Sequence, residues 1–320
     1  MRADPLIGVF RASVRAIAAA ALWLALAIGG LAYAQSSDIT AVGSMGIGGR
    51  GGPAGEGGVR PAASQEGNGS GLEFSSRAGV ASDYIYRGTT LSDRKPAVGA
   101  GIEATFRKFY VGATLASVDL PSNPAAEITL SAGARPKLGE VEFDFGWTYF
   151  LYPNETPLGP VSDTDYWEVV ARAETKIGDR LRFAGGFAYS PNVSNTGAWS
   201  KYAAFGLGLE LPRNTLPQNV TASLTGGAGY SWFGNQSEAL GGFPLPPYVN
   251  WNAGITFTHK SINLDLRYYD TSLSKENCFV LTGDPNATPG GNINPVTNPE
   301  GLTSGWCSAT LVAKVWLALN

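Results

Sequence analysis

A chain of 320 residues with only 15% charged side chains and 42 glycines is too poor in charge for an ordinary soluble domain. Its 44% of hydrophobic residues is too few for a bundle of membrane-spanning helices, and a net charge of −3 argues against nucleic acid as a partner. A transmembrane β-barrel lies between these classes, because each strand shows one apolar face to lipid and one polar face to the lumen.

The first segment reads as an export signal. Arg2, Arg11 and Arg15 precede an apolar run from Ala16 to Gly30, and Ala32-Tyr33-Ala34 supplies a small-x-small cleavage pattern. A signal peptide over residues 1–34 is predicted, with Gln35 as the mature N-terminus; a retained membrane anchor is the alternative, since the run is just long enough to span. Residues 35–71 are rich in Gly, Ser and Ala, centred on Gly46-Ile47-Gly48-Gly49-Arg50-Gly51-Gly52. Such a stretch cannot bury enough apolar surface to offset its chain entropy, so a disordered periplasmic leader is predicted. The glycines do not make a phosphate loop, because no strand precedes them and no helix follows.

From Leu72 to the end the pattern has period two, and residues 72–320 are predicted to form the barrel. Val141, Phe143, Phe145, Trp147 and Tyr149 alternate with Glu142, Asp144, Gly146 and Thr148. Ile262, Leu264, Leu266 and Tyr268 alternate with Asn263, Asp265 and Arg267 in the same way. Alternation of this kind sorts a strand's side chains onto two faces. About twelve segments of this type begin near Leu72, Val98, Phe109, Glu127, Glu140, Tyr166, Arg180, Tyr202, Asn219, Tyr248, Ile262 and Ser308. Each has about the ten residues that a tilted strand needs to cross a bilayer. The predicted fold class is therefore all-β: an up-and-down antiparallel transmembrane barrel of about twelve strands.

The connections alternate in length. Short ones are Arg107-Lys108, Arg135 to Gly139, Ile177 to Asp179, Pro212 to Gln218 and His259 to Ser261. Long ones are Gly88 to Ala97, Asp119 to Ala126, Pro153 to Asp165, Pro191 to Lys201, Phe233 to Pro247 and Asp270 to Cys307. Outer-membrane barrels have short periplasmic turns and long external loops, whereas a soluble sandwich has no reason to segregate its loops. Aromatic placement agrees. Tyr84, Tyr86, Trp147, Tyr149, Trp167, Tyr189, Tyr230, Trp232, Trp251 and Tyr268 are predicted to face lipid near the external ends. Phe106, Phe109, Phe183 and Phe257 are predicted at the periplasmic ends. Cys278 and Cys307, an even pair in an exported chain, are predicted to form one disulfide at the base of the last long loop. That loop is expected either to be a solvated external loop or to fold inward as a constriction.

Two stretches carry a family likeness. Val80-Ala81-Ser82-Asp83-Tyr84-Ile85-Tyr86-Arg87-Gly88-Thr89-Thr90-Leu91-Ser92, followed by Lys95-Pro96-Ala97, resembles the opening signature of the TorF-type porin family, catalogued as the conserved hypothetical outer-membrane group Gcw_chp. The run Phe109-Tyr110-Val111-Gly112-Ala113-Thr114-Leu115-Ala116-Ser117-Val118-Asp119 is similar to the family's second block. Together they cover roughly the first quarter of the barrel. The resemblance implies a porin of the bacterial outer membrane without implying a solute.

The inner face, read strand by strand, carries Arg77, Asp83, Arg87, Glu103, Arg107, Glu127, Glu142, Asp144, Glu168, Arg172, Glu174, Arg182, Glu210, Asp265, Arg267 and Lys314, which are the expected pore-lining residues. Asp83 and Arg87 are placed on one strand face about 13 Å apart, near the external mouth, so each is expected to meet a charge on a neighbouring strand. Charges of both signs require water or each other, and the mixture points to a narrow or partly closed pore. Serine-nucleophile chemistry needs a base, and the sole histidine, His259, falls in a predicted periplasmic turn. Glu142, Asp144, Glu168 and Glu174 are candidates for a carboxylate-only site, with lumen wall as the preferred role.

The sequence thus predicts passive diffusion of small polar solutes or ions, with no catalytic residue, cofactor or metal. A closed barrel with a structural or loop-mediated binding role is the alternative. Outer-membrane lipid, the barrel assembly machinery and the solutes themselves are the expected partners, and the oligomeric state is undetermined.

Overall fold

A computed structural model describes residues 71–213 and 216–319. The predicted signal peptide and nearly all of the predicted leader lie outside the described residues. The rest is an antiparallel barrel with twelve wall strands among the described residues. These are β1 (Leu72–Ala81), β2 (Ala97–Phe106), β3 (Phe109–Ala116), β4 (Glu127–Ala134), β5 (Val141–Leu151), β6 (Tyr166–Ile177), β7 (Leu181–Ser190), β8 (Ser200–Glu210), β9 (Val220–Phe233), β10 (Tyr248–His259), β11 (Ile262–Thr271) and β12 (Thr310–Leu319). Every predicted start is within two residues of the observed one. Neighbours in sequence pair with each other, and β12 closes the ring on β1 through partners such as Val80↔Val315. Closure leaves no wall edge unpaired, the condition for backbone to stand in lipid.

The distribution of side chains is inverted relative to a soluble protein. Phe74, Ile102, Val111, Phe145, Phe205, Leu207 and Val315 are exposed on the outside, while Thr114, Ser131, Thr148, Thr225, Asn250, Asn252 and Thr256 are buried within. Large exposed apolar belts mark contact with lipid or partners. No helix among the described residues is long and apolar enough to cross a membrane; the crossing elements are strands.

Large inward side chains fit because the opposing wall is stripped to glycine. The Tyr202 ring lies over Gly229, where an added Cβ would collide with its hydroxyl. It reaches across β9 to Asn250, donating to Oδ1 at 3.1 Å. The Tyr110 ring occupies the same relation to Gly133 and Gly146 and donates to Asp144 at 2.9 Å. Packing of this kind fills the barrel with its own side chains.

Two predicted features take a different form. β1 ends at Ala81, so Asp83 and Arg87 are not on a wall strand. Residues 82–95 turn inward at the long-loop end, called the mouth below, as a small hairpin pairing Ile85–Tyr86 with Thr89–Thr90. Arg87 (φ 48°) and Gly88 (φ 81°) form its tip, with both central residues at positive φ as in a type I′ turn. Consequently Tyr84 is buried inside the barrel and Tyr86 packs against Phe150, and neither faces lipid. Asp83 and Arg87 fall on the same parity as Arg77 of β1, and Tyr84 and Tyr86 on the other, which is why the sequence reads as one long strand, although Ile85 breaks the alternation. Trp147, Trp167, Trp232, Trp251 and Tyr268 do face outward near the mouth, with Phe106, Phe109 and Phe183 at the opposite end.

The last long loop is ordered and partly drawn in. It holds α1 (Lys275–Thr282), capped by Ser274, whose hydroxyl accepts from the Asn277 amide, and closed by Gly283 in the left-handed region. Cys278 and Cys307 are joined in a disulfide. Trp306 and Cys307 are buried at the loop's base, and the Thr90 amide of the mouth hairpin donates to the Trp306 carbonyl at 3.1 Å. The loop therefore covers the hairpin from outside while its tip, with Ile293 and Val296, remains exposed.

Candidate functional site

The lumen contains three polar clusters, one behind another from the mouth to the short-turn end. At the mouth, the Arg87 guanidinium makes a bidentate pair with Glu168 on β6, donating from Nη1 to Oε1 at 3.0 Å and from Nη2 to Oε2 at 2.6 Å. The guanidinium also stacks over Tyr86 and Tyr202, 4.8 and 4.5 Å from their ring centres. The Tyr248 hydroxyl on β10 fixes the hairpin tip by donating to the Arg87 carbonyl at 3.0 Å. Glu168 is fully buried, so a carboxylate left there without this partner would be costly.

Beside it, Glu127 on β4 accepts from the hydroxyls of Tyr84 (2.6 Å) and Tyr152 (2.9 Å). Asp83 turns back into its own hairpin. Its Oδ1 accepts from Thr90 (2.5 Å) and Ser92 (3.0 Å), and burial raises its carboxyl above the ordinary value despite those hydroxyls. The sequence placed Asp83 and Arg87 on one face of a strand facing neighbours across the wall. In the hairpin one is local scaffolding and the other spans the lumen.

Midway down, Arg267 on β11 is 1% exposed. It donates to both oxygens of Asp265 (3.0 and 2.9 Å), to Asn252 (2.8 Å) and to Thr225 (2.6 Å). Lys314 lies opposite Asp265 in the β11–β12 register. Toward the short turns, Arg135 folds back from the β4–β5 turn and forks onto Glu103 with two bonds of 2.8 Å. It also reaches Asp144 at 3.4 Å and lies 3.6 Å over the Tyr110 ring. Arg182 contacts Glu174 at 3.3 Å and Glu210 at 3.7 Å. Asp144 and Arg172 are register partners on β5 and β6, as are Glu142 and Glu174. Arg77 on β1 stands opposite Gly101 of β2 and Ala318 of β12.

Of the residues expected on the inner face, Arg107 is elsewhere. It occupies the two-residue β2–β3 turn at φ 55°, exposed, with its guanidinium 5.3 Å over Phe106. A turn residue projects past the end of the wall. Arg135 was not expected inside, because Pro136 marks its segment as a turn. Its long stem carries the charge back into the lumen. The inward tyrosines 110 and 202 were also missed; their signal is an opposed glycine across the sheet. His259 is an exposed residue at the end of β10, its Nδ1 3.1 Å from the Asn219 carbonyl.

Outside the lumen, Glu155, Asp163 and Asp165 gather in the β5–β6 loop with ligand atoms within 4.8 Å of one another. Each already accepts from the loop or a neighbour: Glu155 from Thr164, Asp163 from Asn195, Asp165 from the Tyr152 amide.

Residues 65–288 match a family described as a bacterial protein of unknown function, Gcw_chp, over more than half of the chain. The chain belongs to the Gcw_chp family. The match covers the mouth hairpin, Glu168 and Arg267. Among solved structures, this Gcw_chp protein aligns with the NanC porin at 8% identity and a TM-score of 0.41, over 78% of this chain and all of that one. It aligns with LpxR from Salmonella typhimurium at 8% identity and a TM-score of 0.37, over 76% and 99% of the two chains. OmpT of Vibrio cholerae aligns at 10% identity and a TM-score of 0.33, over 78% and 98%. No curated protein matches the sequence. The expectation that the chain is not an enzyme does not stand: a barrel fold by itself decides neither for nor against catalysis.

Proposed function

We propose that this Gcw_chp protein is a porin-like channel of the bacterial outer membrane for small polar solutes or ions, and that the described state is its shut state. The observation that carries the reading is a lumen polar from mouth to turn end, with buried ion pairs at three levels: Arg87–Glu168, Arg267–Asp265 and Arg135–Glu103. Well-packed apolar residues fill a barrel as stably as buried ion pairs or more so, by ~1–4 kcal/mol. A barrel serving only as an envelope wall therefore gains nothing from these charges, whereas a path that takes in water and solutes needs them. The likeness of residues 80–97 to TorF-type porins points the same way. Export by the amino-terminal signal, insertion by the barrel assembly machinery and residence in outer-membrane lipid belong to the same proposal.

A second reading, a barrel that stays closed and binds through its loops, is favoured by the disulfide-tied cover over the mouth. Planar-bilayer recording of refolded protein separates them. Small, discrete openings from a closed baseline support the channel. Folded protein that never opens at any voltage, with or without residues 84–91, overturns it in favour of the second reading.

A further inference from the structure

We propose that the mouth hairpin, residues 82–95, is a plug latched by the Arg87–Glu168 pair, and that its withdrawal opens a cation-preferring vestibule. The inference rests on the channel reading above and adds a moving part and a selectivity to it.

The hairpin is built to move without disturbing the wall. Its two short strands form a separate sheet from the barrel, so the ladders between wall strands survive if residues 84–91 leave while Ser82 keeps its bond to the Ala313 carbonyl of β12. On its outer side Thr90 and Asp93 bond Trp306, Arg94 bonds the Ser308 carbonyl, and Leu91 and Lys95 bond Asp119, so the flanking loops move with it. What holds it to the wall is a set of contacts at its tip and flanks. Arg87 bonds Glu168 on β6, Tyr248 on β10 holds the Arg87 carbonyl, and Tyr84 bonds Glu127 on β4. Gly88 is pressed so closely on Thr271 and Asn250 that a Cβ would not fit. The hairpin thus touches strands on several sides of the ring while its only covalent ties run to β1 and β2. Arg87 in a left-handed conformation stores some backbone strain at the same point, as residues at switch sites do. Of these contacts, the bidentate charged pair is the strongest and most directional.

The wall behind the plug is acidic. Within the first three residues from the mouth, the inward charges of the described wall strands are Glu127 and Glu168. The nearest wall cations, Lys314 and Arg267, lie deeper, and Arg267 is engaged by Asp265. Glu168 is flanked in the register by Thr148, and Ser190 stands opposite Ser200. These three hydroxyls are buried and have no hydrogen-bond partner within the protein, so water entering behind a departing hairpin would satisfy them. With Arg87 gone, a carboxylate-lined entry favours cations over anions.

The test is single-channel recording in a KCl gradient on refolded full-length protein. Four forms are compared: wild type, Arg87→Ala, the double variant Arg87→Ala/Glu168→Gln, and a chain with residues 84–91 replaced by an equal length of Gly and Ser. Arg87→Ala is expected to raise the open fraction by about tenfold or more, with a reversal potential on the K⁺ side. The double variant is expected to open as readily with that preference reduced; it leaves no lone buried carboxylate and carries the test if the single variant does not fold. Conduction by the hairpin-replaced chain, with wild-type closure in both Arg87 variants, overturns the latch and leaves the channel reading intact. Open Arg87→Ala channels that prefer Cl⁻ or show no preference overturn the acidic vestibule. Silence from all four folded forms overturns the channel reading and this inference together.

Discussion

Arg267→Met should be among the most destabilising single changes in the wall. The guanidinium is 1% exposed and bonds Asn252, Thr225 and both oxygens of Asp265, which is itself 2% exposed. Removing one member of a buried ion pair costs about 3–5 kcal/mol, because the partner stays buried without its counter-charge. Asp265 keeps the Thr256 hydroxyl as a donor at 2.6 Å and faces Lys314 across the β11–β12 pair, which places the expected loss near the lower end, ~3 kcal/mol. The double variant Asp265→Asn/Arg267→Met removes both charges and should recover most of that loss, to within ~1 kcal/mol of wild type. Urea unfolding in phospholipid vesicles, followed by the fluorescence of the 8 tryptophans, reads both midpoints. A single variant as stable as wild type, or a double variant no better than the single, would refute the assignment of this pair as a coupled buried unit.

Other perturbations bear on separate parts of the structure. Gly229→Ala forces the Tyr202 ring off the wall and breaks its bond to Asn250, for an expected loss of about 1–3 kcal/mol in the same urea assay; Gly185→Ala, whose Cβ meets nothing closer than 3.8 Å, is the control. The disulfide joins residues 29 apart in sequence, so its loss should loosen the loop rather than the barrel. Cys278→Ser/Cys307→Ser is expected to keep heat-modifiable gel mobility while a protease newly cuts between residues 284 and 303. Asp83 supplies a pH dependence of known sign. Burial raises its carboxyl in the folded chain, so its contribution to hairpin stability is complete below the ordinary aspartate value of about 3.9 and is lost as pH rises through the elevated folded value. Hydrogen exchange of residues 83–91, corrected for intrinsic rates, should therefore slow on acidification, and Asp83→Asn should flatten that response.

The wall was legible in the sequence because lipid and lumen impose opposite demands on alternate residues. Val141 to Tyr149 records both, and its strand boundaries follow. The hairpin was not legible as such, because a segment crossing the lumen also has two environments. Asp83 and Arg87 keep the parity of Arg77 past the point where the wall ends, with Tyr84 and Tyr86 on the other face. Only the Arg87-Gly88 pair, a two-residue turn with a residue able to take positive φ, hints at the reversal. Pairing across the lumen was hidden for a different reason. Arg87 and Glu168 are 81 positions apart and joined by neither register nor hydrophobic pattern. Arg135 was hidden by its place in a turn, since side-chain reach is not written in backbone periodicity.

The most direct test of the whole account is a spin-label scan along β6, residues 166–177, in protein refolded into lipid vesicles. Oxygen, concentrated in the bilayer, should reach labels at positions 167, 169, 171 and 173 and be shut out at 168, 170, 172 and 174, giving a clear period of two. Oxygen access that is equal on both faces, or absent from both, would contradict a closed barrel with a lipid-facing exterior and a self-filled polar lumen.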